Sequence, residues 1–540
     1  MSDLEKEISP SGSVQELRDA AHHNALVTEV MDKQITKWEA MKRHPYACFC
    51  ILTMVWVLIS TSFESQAGGT VISIGVFRED FGHLVDGSYV LRSTDQSILS
   101  GVPLATQIVG QWLGSWLADK FGKKWVIYGG MLTSCAFVGM EFAATTMGVF
   151  IAGKTLNGFS LGVIQASCVS YVADISPLPL RGLSTALCNI SFSIGPLVVF
   201  IINYCVANFK TRWAYRAMLS SQWGFAAVSL VLMLLIPESP TYYILQGKVD
   251  KAEQAYRRLL GDPVAAVNQV TVVKETVLEA EKISEGSTYL DCFKGVNLKR
   301  TMVSCVPFMS TSFSGVAFTG SYTTYFFQLS GLDEQKSFQY TCGAQAISIG
   351  GCIASLFIVD RFGRRNNLIY GLLSICLCDL IIGATATASD SKPEVLNVCI
   401  GFMMLYGGIY NAGLGSVCYP ICAENPTSAL RTKTVALGLA SGNLFSMMWS
   451  FVIPYVFNPD QANLGGKTMF IFFGISVLIW VHIFFFQTET AGRSYDEIDE
   501  MYASGIPLRK FQHYTSKLAN IDVGLTEEEK AVQVKHVEEL

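Results

Sequence analysis

Gly114-Ser115-Trp116-Leu117-Ala118-Asp119-Lys120-Phe121-Gly122-Lys123-Lys124 returns, in the second half of the chain, as Asp360-Arg361-Phe362-Gly363-Arg364-Arg365. Each stretch reads Asp, base, Phe, Gly, base, base, and each joins two apolar runs. Glycine permits a tight reversal that a β-carbon would hinder. Basic residues hold such a loop on the cytoplasmic side of a bilayer and can pair with carboxylates at neighbouring helix ends. One basic loop is only a topological anchor. Two matching loops, six apolar runs apart, point to a duplicated unit. Paired halves around a midplane site are the architecture of alternating-access carriers.

The runs themselves support this. A membrane-crossing helix needs roughly 20 mostly apolar residues. Such runs lie at 47–75, 97–118, 124–145, 147–173, 184–207, 217–236, 302–328, 340–359, 367–386, 395–422, 434–456 and 467–487. The expected fold is an all-α membrane protein with twelve transmembrane helices in two pseudo-symmetric six-helix halves. The expected organisation is a cytoplasmic segment over 1–45, one half over 46–236, a cytoplasmic linker with short helices over 237–301, the second half over 302–487, and a cytoplasmic tail over 488–540. Runs one, seven and ten hold Gly, Ser and Thr clusters and should line the interior. In the linker, Ala252, Ala255, Tyr256 and Leu259 recur at helical spacing. The acidic tail reads as solvated and mostly disordered.

Lys and Arg set the orientation. With the N-terminus inside, Lys42, Arg43, Lys120, Lys123, Lys124, Arg181, Arg361, Arg364, Arg365, Arg431 and Lys433 all fall on the cytoplasmic side. Lys210, Arg212 and Arg216 fall on the wrong side, but the balance places both termini in the cytoplasm. The polar first 45 residues do not resemble a cleavable signal peptide.

Composition narrows the function classes. Half of the 540 residues are hydrophobic and 15% are charged, against about 25% in soluble domains. A net charge of −5 gives no footing for nucleic acid. The 15 Cys are scattered and read as buried apolar groups, not as a disulfide or zinc framework. No phosphate-cradling loop, metal-ligand cluster or nucleophile–base constellation is apparent, so neither ATP drive nor an enzyme is expected.

Further charged motifs repeat. Asp174 is followed by Pro177 and Arg181, and Glu424 by Pro426 and Arg431. Pro237-Glu238-Ser239-Pro240 has a looser partner in Thr488-Glu489-Thr490. The predicted device is a cytoplasmic ion-pair network of Asp119, Lys123, Lys124, Asp174, Arg181, Glu238, Asp360, Arg361, Arg364, Arg365, Glu424, Arg431 and Glu489. It would hold the outward-open state and break in each cycle.

Together these motifs resemble the sugar porter family of the major facilitator superfamily, from about residue 45 to 510. Thr324-Tyr325-Phe326-Phe327, Tyr410-Asn411-Ala412-Gly413-Leu414-Gly415, Leu430-Arg431-Thr432-Lys433-Thr434 and Gly492-Arg493 with Tyr495-Asp496-Glu497-Ile498 look most like fungal maltose and α-glucoside permeases. The resemblance implies transport of a small polar solute, a sugar or glycoside, across a plasma membrane. The implied partners are that solute and the lipid bilayer. No cofactor is expected, with a proton as the candidate coupling ion.

The spans depart from the family pattern. Ala67 stands where proton-coupled members carry Asp, and Gln111 where α-glucoside permeases carry a second-span carboxylate. Glu64, about one turn before Ala67, is the candidate proton-coupling group, because a carboxyl at bilayer depth is costly when ionised. Proton symport and facilitated diffusion both stay open. Thr311 and Ser312 occupy the usual positions of a Gln pair, and Asn189 that of another Gln. Short hydroxyls give fewer paired contacts than amides. That suits a larger glycoside or a solute that is not a sugar. The candidate solute contacts are Gln107, Gln111, Gln165, Asn189, Gln222, Thr311, Ser312, Tyr325, Gln345, Asn411 and Asn443, with Tyr322 and Trp449 as possible ring-stacking groups. Lys154 should pair with Glu238 or Asp174, while Glu141 and Asp379 should sit near an interface or pair helices. The alternatives are a carrier of another small metabolite and a transporter-like nutrient sensor. The solute, direction of transport and oligomeric state are not legible.

Overall fold

The computed structural model describes residues 37–514, apart from 86–87, 285–286, 390–393, 492 and 494. The acidic end of the tail and most of the N-terminal segment lie outside the described residues. Twelve long helical elements follow one another. They are α1 (Pro45–Thr70), α2 (Ser93–Phe121), α3 (Lys123–Ala143), α4 (Met147–Ile175), α5 (Arg181–Val206) and α6 (Trp213–Leu235) in the first half. The second half has α7 (Gly295–Phe313, Val316–Ser321 and Thr323–Leu329), α8 (Glu334–Phe362), α9 (Arg364–Ser389), α10 (Glu394–Ala412 and Leu414–Glu424), α11 (Arg431–Phe457) and α12 (Met469–Phe486). The end carrying the two repeated loops is termed the basic face, and the opposite end the far face.

Ten of the described elements are long and apolar enough to cross a membrane. The other two, α2 and α7, show why the run-by-run reading is uneven. α2 carries Asp95, Gln107 and Gln111 within its length. α7 breaks where Gly315 takes φ +80°, a conformation that residues with a β-carbon rarely adopt. Large apolar side chains such as Trp112, Leu234, Phe357 and Leu478 point outward, as lipid contact requires.

Small residues set the closest helix contacts, in the same place in each half. A β-carbon on Gly114 would lie 2.7 Å from Val163 Cα, and one on Gly158 would lie 2.5 Å from the Pro103 carbonyl, so α2 and α4 touch backbone to backbone. In the second half, a β-carbon on Gly408 would lie 2.7 Å from Ile347 Cγ2, and Gly407 faces Ser348, which joins α8 to α10. Such close approach is how helices associate without a hydrophobic drive between them.

The linker helix Val249–Leu260 buries Ala252, Ala255, Tyr256 and Leu259. It packs with the basic-face end of α1 in a cluster that includes Ala47 and Cys50. The described part of the tail, up to residue 514, forms helical structure that a reading of the tail as mostly disordered does not anticipate. Helix Tyr495–Ala503 and the turn Leu508–His513 pack on each other through Ile498, Met501, Tyr502 and Phe511. They dock on the second half through Tyr502, whose hydroxyl donates to Asn425 at 3.0 Å, and Arg509, which lies over the Phe484 ring. Arg300, at the start of α7, pairs with Asp499 and lies 4.3 Å over the Tyr502 ring. The apolar positions of this short helix share one face, which a reading by net acidity overlooks.

Gly158→Leu should lower thermal stability in detergent by about 1–3 kcal/mol or block folding, since the helices cannot part without losing their packing. Gly129→Ala, with open space around it, should change it by less than about 0.5 kcal/mol. Equal effects at both positions would refute the close-approach argument.

Candidate functional site

Two carboxylates organise the basic face. Glu238 accepts the backbone N–H of Lys124 at 3.0 Å and of Ser239 at 2.9 Å. Glu489 accepts those of Arg364 at 2.9 Å and Arg365 at 3.1 Å. Each thus closes the N-terminus of a third helix, α3 or α9, whose first N–H groups have no partner within the helix. Gly122 and Gly363 make room, with φ +97° and +81°. A β-carbon on Gly122 would lie 2.5 Å from Glu238, and one on Gly363 2.6 Å from Glu489. Burial pushes the Glu238 carboxyl above its usual range, while backbone donors and Lys124 pull it down.

The partners correspond one for one. Lys123 meets Asp174 at 2.5 Å, and Arg364 meets Glu424 at 3.4 Å. Ser239 donates to Asp174, and Thr490 to Glu424 at 2.5 Å. Lys124 Nζ donates to the Ile236 carbonyl at 2.8 Å, and Arg365 to the Gln487 and Phe484 carbonyls at 3.0 and 2.9 Å. Both close the C-terminus of a sixth helix, α6 or α12. The loose match between Pro237-Glu238-Ser239 and Thr488-Glu489-Thr490 is therefore a structural equivalence.

These clusters lie within the halves, not between them. Asp119, Arg181 and Arg361 are exposed on the basic face and form no ion pair among the described residues. Arg431 stands at the first turn of α11, and the Asp360 side chain is outside what is described. Side-chain bonds between the halves gather at the middle and at the far face instead. Glu334 accepts Gly75 N–H at 3.2 Å. Arg78 donates to Gln328 at 2.6 Å, and Gln328 to the Ser73 carbonyl at 2.7 Å. Gln66 reaches the Gly320 carbonyl at 3.0 Å, and Ser97 the Phe451 carbonyl at 2.9 Å. Ser93 pairs with Asp460. The charged groups expected to bridge the basic face thus pair within each half, while the far face is bonded across. Sequence reasoning missed this far-face lock; its signal was a lone Arg78 beside short helical segments.

In the bundle interior, Glu64 is buried, and Ser134 Oγ lies 2.6 Å from its Oε2 and 2.7 Å from Asn157 Oδ1. Lys154 donates to the Glu64 carbonyl at 2.7 Å and faces Glu141 at 3.9 Å. Asn157 reaches Glu141 at 3.3 Å. Lys154 therefore does not pair with Glu238 or Asp174. It sits twenty residues before Asp174 on α4, about 30 Å along the helix axis. Glu141 joins α3 to α4 rather than lying at an interface. Lys154 and Asn157, three apart on one helix face, were the sequence signal for this cluster.

The amides divide into groups. Gln107 and Gln111 donate to the same Gln165 oxygen at 2.9 and 3.1 Å, and all three are half-buried. Gln345 reaches the Ser193 carbonyl at 2.9 Å, across the halves. Asn411 donates to Ser348 at 2.7 Å. Ser312 is buried against the Gly442 carbonyl and Ser446, and Thr311 bonds back to the Phe308 carbonyl. Asn189 is exposed, Asn443 half-buried, and Gln222 buried without a hydrogen-bond partner among the described residues. Tyr325 is buried under the Arg78 guanidinium at 5.4 Å, and Tyr322 bonds Ser100, so both belong to the far-face lock. Trp449 packs on Phe472 at 4.5 Å.

Residues 50–502 match the family described as Sugar (and other) transporter. The chain belongs to this family, within the major facilitator superfamily. The General alpha-glucoside permease of Saccharomyces cerevisiae is 27% identical over 489 residues, covering 89% of this chain and 79% of that protein. The MFS transporter fmqE of Aspergillus fumigatus is 28% identical over 521 residues, covering 92% and 96%. The inward open conformation of the xylose transporter XylE from E. coli shares the fold, with a TM-score of 0.67 at 18% identity over 85% of this chain and 99% of that one. The proton:xylose symporter XylE bound to 6-bromo-6-deoxy-D-glucose gives 0.66 at 20% identity, with the same coverage.

A double-mutant cycle of Lys123→Met and Asp174→Asn, read by thermal unfolding, should give a coupling of about 1–3 kcal/mol, as for neighbours sharing a buried network. Additive losses would mean that the pair is not energetically linked.

Proposed function

We propose that the chain carries a sugar or glycoside across a fungal plasma membrane by alternating access, with the basic face and both termini in the cytoplasm. The observation that carries this is the asymmetry of the contacts between the halves. They are bonded across the far face, while on the basic face each half satisfies its own charges. The halves can therefore rock about the middle without stranding a buried ion pair. The permeases and symporters named above support a sugar as solute. Gln107, Gln111 and Gln165 are the first candidates to hold its hydroxyls, each amide keeping donor or acceptor capacity beyond its mutual bonds. Gln345, Asn411, Asn189 and Asn443 are further candidates.

Glu64 is the candidate coupling group. One ammonium, Lys154, faces two carboxyls, Glu64 and Glu141, so the buried cluster lacks one positive charge. A proton supplies it. Proton symport is accordingly the coupling proposed, with the proton as coupled ion rather than cofactor.

A second reading has a specific basis. Thr311 and Ser312 are hydrogen-bonded to α7 and α11 themselves, so this wall offers little to a sugar, and the relative fmqE is not named for one. A non-sugar metabolite is the alternative solute.

Uptake of a solute panel in transport-null cells, with and without a proton uncoupler, tests both readings. Accumulation of a mono- or disaccharide that the uncoupler abolishes is expected. Failure of every sugar to accumulate or compete would abandon the sugar assignment. Glu64→Gln should remove uphill accumulation while sparing exchange, and persistence of accumulation would dismiss Glu64 as the coupling group.

A further inference from the structure

The most isolated charge in the bundle is Asp379, midway along α9. It is fully buried, and neither carboxylate oxygen has a hydrogen-bond partner among the described residues. Tyr406 on α10 is also fully buried, and its hydroxyl is turned toward the Asp379 carboxylate and Ser314 without a hydrogen bond of ordinary geometry to either. The two converge on the break in α7. A β-carbon placed on Gly315 would lie 3.2 Å from Tyr406 Oη, 3.3 Å from Asp379 Oδ1 and 3.4 Å from Met469 Cε. Glycine at this hinge is thus needed twice, for its φ of +80° and for the space the two polar groups occupy.

No basic side chain faces the carboxylate. The titratable groups around it are Cys376 and Cys378 of its own helix and Tyr406 of α10, with Tyr410 beyond Tyr406. The α7 break contributes Ser314, whose hydroxyl is turned to the Thr311 carbonyl at 2.7 Å. Helix α12 contributes the Met469 methyl. An ionised carboxylate buried without a counter-charge costs several kcal/mol in this setting. A neutralising charge must come from outside the chain.

We propose that Asp379, with Tyr406 beside it, holds a small monovalent cation, a proton or a sodium ion, while the far face is closed. The site is separate from Glu64: it lies in the other half and at a hinge. The segment beyond Gly315, residues 316–329, carries Gly320, Tyr322 and Gln328 of the far-face lock. Neutralising Asp379 lets Gly315 stay packed against it. Ionising it favours an arrangement in which the hinge opens and water enters. Cation occupancy and the position of residues 316–329 are therefore linked, and linkage works in both directions.

Hydrogen exchange of residues 316–329 in lipid nanodiscs tests this without any solute. Failure of the sugar assignment therefore leaves the test intact. The full chain is used in a Glu64→Gln background, so that the first carboxyl cannot supply a proton response. One arm lowers the pH by about two units at fixed sodium, with correction for intrinsic exchange. The other replaces potassium by sodium at fixed pH. In one arm, exchange should slow by about tenfold, and the responding arm names the cation. Asp379→Asn, permanently neutral, should exchange slowly in all conditions. Should that variant not fold, Tyr406→Phe serves instead, with its response midpoint moved to higher cation concentration. A parent chain insensitive to both cations, an Asp379→Asn chain that responds as the parent does, or a Tyr406→Phe midpoint left unmoved would each overturn the proposal.

Discussion

A helix that begins at the edge of a bilayer presents N–H groups which neither its own turns nor the lipid can satisfy. Glu238 and Glu489 answer that constraint at α3 and α9. A carboxylate also suits the positive end of the helix dipole, worth about 0.3–1 kcal/mol each and more where partly buried. Both arrive from the segment that follows a sixth helix, so one bond ties the third helix of each half to its exit. Lys123 with Asp174, and Arg364 with Glu424, then add the end of the fourth helix, or of α10, to the same knot. Each half becomes a unit with its polar ends internally closed, and such a unit can move as a body.

The duplication was legible because the same order of Asp, base, Phe, Gly, base, base recurs at two junctions of apolar runs. Gly122 and Gly363 each sit at a required positive φ, and the acidic partners stand at matching distances after spans four and ten. What pairs with what was less legible. A charge motif shows that a residue is held at a helix end, not which half its partner belongs to. Asp119, Arg181 and Arg361 share motifs with members of the clusters and yet stand apart from them in this state. A sequence describes every state of the cycle at once, whereas a structure catches one.

Inside the bundle, spacing along α4 could have linked Lys154 to Asn157, but the meeting with Ser134 and Glu64 depends on how α1, α3 and α4 cross. The helix at the start of the tail was overlooked for a simpler reason. Ile498, Met501 and Tyr502 form a short apolar stripe, and an overall acidic composition hides a stripe of that length. Gln107, Gln111 and Gln165 were visible as amides at membrane depth, yet only the close contact of α2 with α4 brings them to a single oxygen.

The docking of Asp499 and Tyr502 against Arg300 has a consequence for biosynthesis. Arg300 belongs to the first turns of α7, which leave the ribosome well before α8 to α12 exist. Its guanidinium must wait, at the edge of the bilayer, for a helix made after the last span. The second half is thus sealed late, by a clasp that closes only once α12 and the helix after it have been translated. Loss of the final segment would leave the six inserted helices with an open seam facing the quality-control machinery.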